Sequence, residues 1–171
     1  NELIYSINTQ PSHGSATIVD KFIEYSPNSN YNGNDELLYT VSDGNSESDP
    51  ANISIEIVPV NDSPVLGSVS DISYDEDSAG ASITVTANDV DADALTYSIS
   101  DGTEISVSGS DGNWTFTSPT NYYGTETFTI TVSDNVSTDS ESFSVIVNAV
   151  NDVPVITSTS QTGIIAADGY S

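Results

Sequence analysis

The sequence lacks cysteine and methionine, and Lys21 is its one lysine or arginine. The absence of cysteine excludes disulfide bonds and metal sites built from thiolates. A single basic side chain leaves no positive patch that could hold the phosphates of nucleic acid or an anionic membrane surface. Partners of those two kinds are therefore not expected.

Long hydrophobic stretches are also missing. No run of about 20 apolar residues occurs, so the sequence predicts no transmembrane helix. The Gly-x-Ser-x-Gly pattern of serine hydrolases is absent as well. The one histidine, His13, lies in a Pro-x-His-Gly turn, where a turn or packing role is expected. The sequence predicts no catalytic residues and no enzyme activity.

Negative charge, in contrast, is abundant. The 171-residue chain has 26 aspartates and glutamates and a formal net charge of −25. Repulsion among that many carboxylates destabilises a compact state unless cations screen or bind them. Calcium is a hard cation that proteins bind with carboxylate and carbonyl oxygens. The composition therefore favours cations as partners, and it suggests an extracellular or salt-adapted β protein.

The chain also repeats itself. Val60-Asn61-Asp62-Ser63-Pro64-Val65 recurs as Val150-Asn151-Asp152-Val153-Pro154-Val155, 90 residues further on. Thr40-Val41-Ser42-Asp43 recurs as Thr131-Val132-Ser133-Asp134 at nearly the same interval. A fixed period of this size indicates a tandem array of small domains. We predict a first repeat at 1–60 that is incomplete at its start, a complete repeat at 61–150, and at 151–171 the first strand of a following repeat or a tail.

Within the repeats, the dominant hydrophobic period is two, which is typical of half-buried β-strands. The sole tryptophan, Trp114, alternates with Phe116 in such a pattern and is expected in the core. Short strands that follow one another this closely predict an all-β protein of tandem Greek-key β-sandwiches, with about seven strands in each repeat. In the complete repeat we predict a loop at 74–80 and strands near 64–73, 81–87, 94–100, 103–108, 112–118, 124–133 and 140–149.

The densest acidic cluster is Asp89-Val90-Asp91-Ala92-Asp93, directly after the predicted strand 81–87. Three carboxylates at a spacing of two residues converge on one calcium ion if the backbone turns. An EF-hand is excluded, because Ala94 stands where that loop needs glycine and Ser100 stands where it needs glutamate. What remains is a different arrangement of acidic loops around a sandwich, which either bind calcium or keep the array soluble.

Several short motifs occur in a characteristic order along the chain. The acidic ones are Asp75-Glu76-Asp77, Asn88-Asp89-Val90-Asp91, Val132-Ser133-Asp134 and Val150-Asn151-Asp152. The first repeat adds Gln10-Pro11-Ser12-His13-Gly14, Asn30-Tyr31-Asn32-Gly33-Asn34-Asp35 and Tyr39-Thr40-Val41-Ser42-Asp43-Gly44. Together they resemble the cadherin repeat, and more closely the bacterial cadherin-like repeats of large surface and secreted adhesins.

In cadherins, calcium lies at the junction between consecutive domains and stiffens it. The resemblance implies a first junction that uses the linker residues Asn61 and Asp62 with the acidic cluster, of which Asp89 and Asp91 match the motif and Asp93 is a further candidate. The second junction would use Glu76, Asp77, Asn151 and Asp152.

This chain also departs from the vertebrate adhesion cadherins. Pro59 and Ala149 stand where those proteins have a linker aspartate, and their Leu-Asp-Arg-Glu motif has no counterpart here. We therefore expect one or two ions per junction rather than three.

The resemblance implies a calcium-stiffened spacer or adhesion module of a long extracellular or cell-surface protein. Its partners would be calcium ions, neighbouring repeats, and other cell-surface proteins or glycans. A carbohydrate-binding sandwich is the main alternative, which requires exposed aromatic side chains, and Tyr122-Tyr123 is the one candidate pair, with packing favoured. A third interpretation is a self-assembling filament, in which the segment 155–165 completes the first repeat of a neighbouring copy by strand addition.

Overall fold

The computed structural model describes residues 2–154 of the chain. These residues form fourteen β-strands and no helix, which confirms the predicted all-β class. The described residues therefore include no helix long and apolar enough to cross a membrane. The strand predicted within 151–171 stays a prediction, because residues 155–171 lie outside the described part of the chain.

Five strands make up the N-terminal part. They are β1 (Ile4–Thr9), β2 (Gly14–Val19), β3 (Phe22–Pro27), β4 (Gly33–Ser42) and β5 (Ala51–Ile57). One sheet has the order β1-β4-β5, and β2 pairs with β3 in a second sheet. All of these pairings are antiparallel. Strands β1, β3 and β5 alternate exposed with more buried side chains over most of their length, as half-buried strands do.

Nine strands follow after a linker. They are β6 (Val65–Leu66), β7 (Ile72–Asp75), β8 (Ala81–Thr84), β9 (Ala87–Asn88), β10 (Thr96–Ile99), β11 (Ser106–Ser110), β12 (Asn113–Thr117), β13 (Gly124–Ser133) and β14 (Thr138–Asn148). The larger sheets have the orders β10-β13-β14-β7 and β11-β12-β8, and β6 pairs with β9. The pairing of β14 with β7 is parallel. The two larger sheets pack on a common core, which is the architecture of a sandwich.

Aromatic side chains from both sheets form the centre of that core. Phe116 on β12 meets Phe128 and Phe143 edge-on, with ring centroids 5.0 Å and 5.8 Å apart. Edge-to-face contacts at these distances are favourable beyond the burial of apolar area. Trp114 is 8% exposed, so its predicted core position is confirmed.

The two parts share one strand register. Val41 on β4 lies opposite Tyr5, and Val132 on β13 lies opposite Tyr97. On the other side of the central strand, Asp35 faces Ile55 and Glu126 faces Val145. The sequence period therefore corresponds to a structural one, with β1 to β5 equivalent to β10 to β14.

The acids on β4 and β13 each hold a loop. Asp35 accepts the backbone N–H groups of Ser12 and His13, both at 2.9 Å. Burial alone would raise the pKa of Asp35, but these bonds and the hydroxyl of Tyr25 outweigh it and lower the pKa. The same holds for Glu126 on β13, whose pKa is lowered by the backbone N–H groups of residues 103–105 despite its burial.

This loop explains one error in the predicted strands. The segment 103–108 was expected to be extended from its first residue, but β11 begins at Ser106. The backbone N–H groups of Thr103, Glu104 and Ile105 donate to the Glu126 carboxylate instead of to a neighbouring strand. The side chain of Glu126, at least 21 residues away in the sequence, thus keeps residues 103–105 out of β11.

The predicted strand 64–73 is also wrong, because it changes sheets on the way. Its first part is β6, which pairs with β9, and its second part is β7, which pairs with β14. The N–H of Leu66, at the end of β6, donates to Asp139 on β14, and the N–H of Val69, between β6 and β7, donates to Glu141 on β14. Such a switch is how a strand forms the corner of a sandwich. As a result, the predicted loop at 74–80 starts too early, since β7 continues to Asp75.

The predicted strand 81–87 breaks for the same reason. Its first part, β8, pairs with β12, whereas β9 pairs with β6. Between them, the N–H of Val85 donates to the carbonyl of Gly112 at 2.8 Å. The other predicted strands of this part agree with β10, β12, β13 and β14 to within two residues at each end.

The core predicts a large difference between two aromatic truncations. Phe128→Ala should lower the free energy of unfolding by about 3–5 kcal/mol, because it leaves a cavity at a fully buried site. Tyr123→Ala, which removes a side chain that is 66% exposed, should change it by less than about 0.5 kcal/mol. Urea denaturation followed by the fluorescence of Trp114 measures both values, and equal effects would contradict this description of the core.

Candidate metal centre

Three aspartates meet in the loop that connects β9 with β10. Asp89, Asp91 and Asp93 each present a carboxylate oxygen, and these oxygens lie within 4.8 Å of one another. The left-handed conformation of Ala92, with φ of 60°, turns the backbone between the last two acids. In residues 2–154 this three-aspartate cluster is the one group of three or more potential metal-ligating side chains of the His, Cys, Asp or Glu type.

Asp89 organises the loop. Its Oδ1 accepts the backbone N–H of Asp91 at 2.8 Å and that of Asp93 at 3.5 Å. Its Oδ2 is buried and has no hydrogen-bond partner. A buried carboxylate oxygen without a partner is unfavourable, because it has lost its hydration without any compensating bond. A hard cation would satisfy this oxygen, so the donor set fits calcium.

The linker between the two parts attaches to this loop and to the β13–β14 turn. The N–H of Asp62 donates to Oδ2 of Asp91 at 2.7 Å. The side-chain amide of Asn61 donates to Oδ2 of Asp134 and to Oγ of Ser137, both at 2.9 Å. Asp62 thus meets the cluster through its backbone, and its carboxylate is not a member of the three-aspartate cluster.

Asp134 is a site residue that the sequence analysis did not propose as a ligand or a linker contact. It is 6% exposed, and its Oδ1 accepts the N–H groups of Val136 and Ser137 at 2.7 Å and 2.6 Å. The backbone N–H of Ser137, followed by the amide of Asn61, lowers the pKa of Asp134 to about 2. This carboxylate therefore stays ionised at neutral pH and joins the linker to the turn.

The sequence indicates one part of the role of Asp134, namely that it closes a turn. Asp43 occupies the equivalent turn after β4, and its Oδ1 accepts the N–H groups of Asn45 and Ser46, both at 2.9 Å. The repeated Ser-Asp step therefore marks a shared turn. The contact of Asp134 with Asn61 spans 73 residues, and no local pattern indicates it.

The residues predicted for the second junction lie apart from this cluster. Glu76 is 6% exposed, and its Oε1 accepts the N–H of Val150 at 2.7 Å. Oδ1 of Asp77 accepts the N–H of Asn121 at 2.9 Å. The amide of Asn151 donates to the carbonyl of Asp152 at 3.0 Å, as Asn61 does to Asp62 at 2.9 Å. These four predicted residues therefore do not form a carboxylate cluster within the described part.

The three-aspartate cluster opens onto a surface cavity of about 380 Å³. Its lining combines residues from the first repeat, the linker and the cluster, namely Asn32, Pro59, Val60, Asn61, Asp91 and Asp93. Oxygen-bearing side chains from both sides of the linker therefore face one solvent-accessible space.

Comparison with known families supports the presence of two tandem repeats in this chain. A sequence model described as bacterial Ig domain matches the chain twice, at residues 1–56 and 61–148. The chain belongs to the bacterial Ig domain family. This match confirms the expectation of a bacterial tandem repeat of the cadherin-like or Ig-like type. None of the curated proteins shows significant similarity to this bacterial Ig domain chain.

The solved structures that match the chain come from several kinds of protein. The endo-fucoidan hydrolase MfFcnA4 of glycoside hydrolase family 107 is 19% identical, with a TM-score of 0.38, and the match covers 87% of this chain and 24% of that one. Drosophila N-cadherin EC1-4 is 10% identical, with a TM-score of 0.43 and coverages of 86% and 41%. The titin domains z1z2 in complex with telethonin are 10% identical, with a TM-score of 0.34 and coverages of 88% and 82%. The bacterial Ig domain chain thus spans about a quarter of the fucoidan hydrolase structures that it matches.

The lowered pKa of Asp134 predicts a pH-dependent contribution to stability. Since the folded-state pKa lies below the ordinary 3.8, the ionised group stabilises the fold above that pH and loses this contribution as the pH falls toward about 2. Asp134→Asn should therefore be less stable than the unmodified chain at neutral pH, and the difference should shrink through this window. Urea denaturation at a series of pH values measures it, with Asp49→Asn in an exposed loop as the control. A difference that does not vary with pH would contradict the assignment.

Proposed function

We propose that this chain is a calcium-stiffened spacer or adhesion module of a longer extracellular or cell-surface protein, with calcium held at the junctions between its repeats. The observation that carries this proposal is the buried, unpartnered Oδ2 of Asp89 inside the three-aspartate cluster. The cluster lies beside the linker, whose Asp62 donates its N–H to Asp91. A cation bound there would join the linker to the second repeat.

The proposal divides the chain into repeats at 1–60 and 61–150. No strand pairing joins β1 to β5 with β6 to β14 in the described residues, and the linker lies between β5 and β6. The two family matches leave a gap between residues 56 and 61, which agrees with this division. Each repeat would then fold around its own sheets, and the angle between the repeats would depend on the junction.

Charge supplies the physical reason for calcium at this place. Carboxylates that approach one another within a few ångströms repel, and a divalent ion that binds only the assembled site reverses that penalty. The side chains of Asp89, Asp91 and Asp93 are the proposed carboxylate ligands, and Asp62 and Asn61 are the proposed linker contributions. Asp134 would act beside them by holding Asn61 in place. At the second junction, Glu76, Asp77, Asn151 and Asp152 stay proposed ligands.

A carbohydrate-binding role has weaker support. Tyr122 packs against the hydrophobic core, and its hydroxyl donates to Glu126 at 3.4 Å. Tyr123 is left as the exposed member of the pair, at 66% exposure. A stacking platform for a sugar needs accessible aromatic faces, so the pair favours packing over binding. A glycan array probed with and without calcium distinguishes this alternative from the spacer.

The proposed site predicts a specific loss of calcium affinity. Asp89→Asn removes the charge of the central ligand but keeps its size, and it should raise the dissociation constant for calcium about tenfold, because ligand charge tunes such sites. Asp49→Asn removes the same charge from an exposed loop and should leave the dissociation constant unchanged. Calorimetric titration of both variants and the unmodified chain gives the comparison. Identical titrations of Asp89→Asn and the unmodified chain would exclude this site.

The proposed function also predicts a change in shape. Without calcium, repulsion between the linker and the cluster should let the two repeats bend, and with calcium they should form a stiffer rod. Pro64 restricts its own φ and the preceding residue, so it cannot fix the angle alone. Small-angle scattering should show a larger maximum dimension in calcium than in a chelator.

Two controls make this measurement specific. Ionic strength must be equal in both buffers, because monovalent salt also screens a chain of this charge. Asp89→Asn should show a smaller response to the same calcium concentration than Asp49→Asn. The spacer function is rejected if the unmodified chain gives the same scattering curve in calcium and in chelator.

A further inference from the structure

Asn32 and Gly33 form the one Asn-Gly pair in the sequence. Asn32 is exposed and lies in the loop between β3 and β4, and Gly33 is the first residue of β4. An asparagine followed by glycine is the pair most open to spontaneous deamidation, because glycine has no Cβ to hinder attack by its backbone nitrogen. The pairing of Gly33 with Ile57 is the terminal one of the β4–β5 ladder, and strand ends open more readily than strand centres.

The position of this pair connects it with the three-aspartate cluster. Asn32 lines the cavity of about 380 Å³ that Asp91 and Asp93 also line. In this cavity Asn32 comes from the first repeat, whereas both aspartates come from the second. A chemical change at Asn32 would therefore alter the charge on the opposite side of the proposed junction.

We propose that Asn32 is a deamidation site and that its product adds a carboxylate to the cavity beside Asp91 and Asp93. The backbone nitrogen of Gly33 loses its proton and attacks Cγ of Asn32, and ammonia leaves with the proton. Water then opens the resulting succinimide to aspartate or isoaspartate. One amide and one water become one carboxylate and one ammonium ion, so no oxidant, reductant or enzyme is required.

The consequence for the junction rests on the proposed calcium function. Without a cation, a third negative group in this cavity, beside Asp91 and Asp93, adds repulsion and should loosen the junction. With calcium, the same group offers an anionic oxygen ligand where the amide offers a neutral one. Deamidation should therefore act in opposite directions in calcium and in chelator, which an ordinary surface change would not do.

The first experiment measures the modification itself. The full chain is incubated at mildly alkaline pH, and peptide mass spectrometry follows the conversion of amide to acid. We expect Asn32 to convert faster than Asn45, an exposed asparagine followed by serine in the same chain, and Asn32→Gln to remove the fast phase. Equal conversion of Asn32 and Asn45 overturns the proposal, whether or not the chain binds calcium.

The second experiment measures the effect. Asn32→Asp should bind calcium roughly fivefold more tightly than the unmodified chain, because ligand charge sets the affinity of such sites. In chelator, Asn32→Asp should scatter with a smaller maximum dimension than the unmodified chain, because the added charge loosens the junction. Equal affinities overturn the claim that the new carboxylate joins the site. Deamidation at Asn32 without calcium binding by either protein rejects the spacer function but supports the modification site.

Discussion

The hydrogen bond from a backbone N–H to a carboxylate is the interaction on which the rest of this fold depends. With 26 acids and one lysine, the chain cannot balance its carboxylates with basic side chains. It uses the peptide groups of its own loops instead. Asp35, Glu126 and Asp134 each accept two or more of them, and Asp139 and Glu141 each accept one from residues 66–69. A bond of this kind is charge-assisted, so it compensates the carboxylate for lost hydration and fixes a loop at the same time.

Hydrogen bonds from backbone N–H groups to carboxylates occur within each repeat, and both aspartate and glutamate form them. Asp35 is one methylene group shorter than Glu126, yet both carboxylates bind a loop in the same way. Asp35 binds the loop between β1 and β2, and Glu126 binds the loop between β10 and β11. Asp43 and Asp134 close equivalent turns in the same way. Asp134 differs from Asp43 in one respect, since it also binds the linker through Asn61. The contact that could fix the linker is thus added to a turn that the repeat already contains.

The sequence predicts those features that depend on local periodicity. Alternation of apolar side chains places β13 at the residues expected, and it places Trp114 in the core. It fails for 64–73, because the N–H of Val69, between β6 and β7, donates to Glu141, which lies 72 residues away in the sequence. The candidate site shows the same limit. The spacing of Asp89, Asp91 and Asp93 is visible in the sequence, whereas the place of Asp134 depends on how the β13–β14 turn meets the linker.

The three-aspartate cluster is the place where backbone donors do not suffice. The N–H groups of Asp91 and Asp93 donate to Oδ1 of Asp89, and the N–H of Asp62 donates to Asp91. Oδ2 of Asp89, however, stays buried and has no partner. Glu76, at its own position, has a peptide donor in Val150. Monovalent salt reduces the repulsion among exposed charges over about 10 Å, yet screening from bulk solvent does not give a buried oxygen a partner. A bound cation reduces the repulsion and also gives the buried oxygen a partner. This junction therefore requires a coordinated ion, and raising the ionic strength does not replace it.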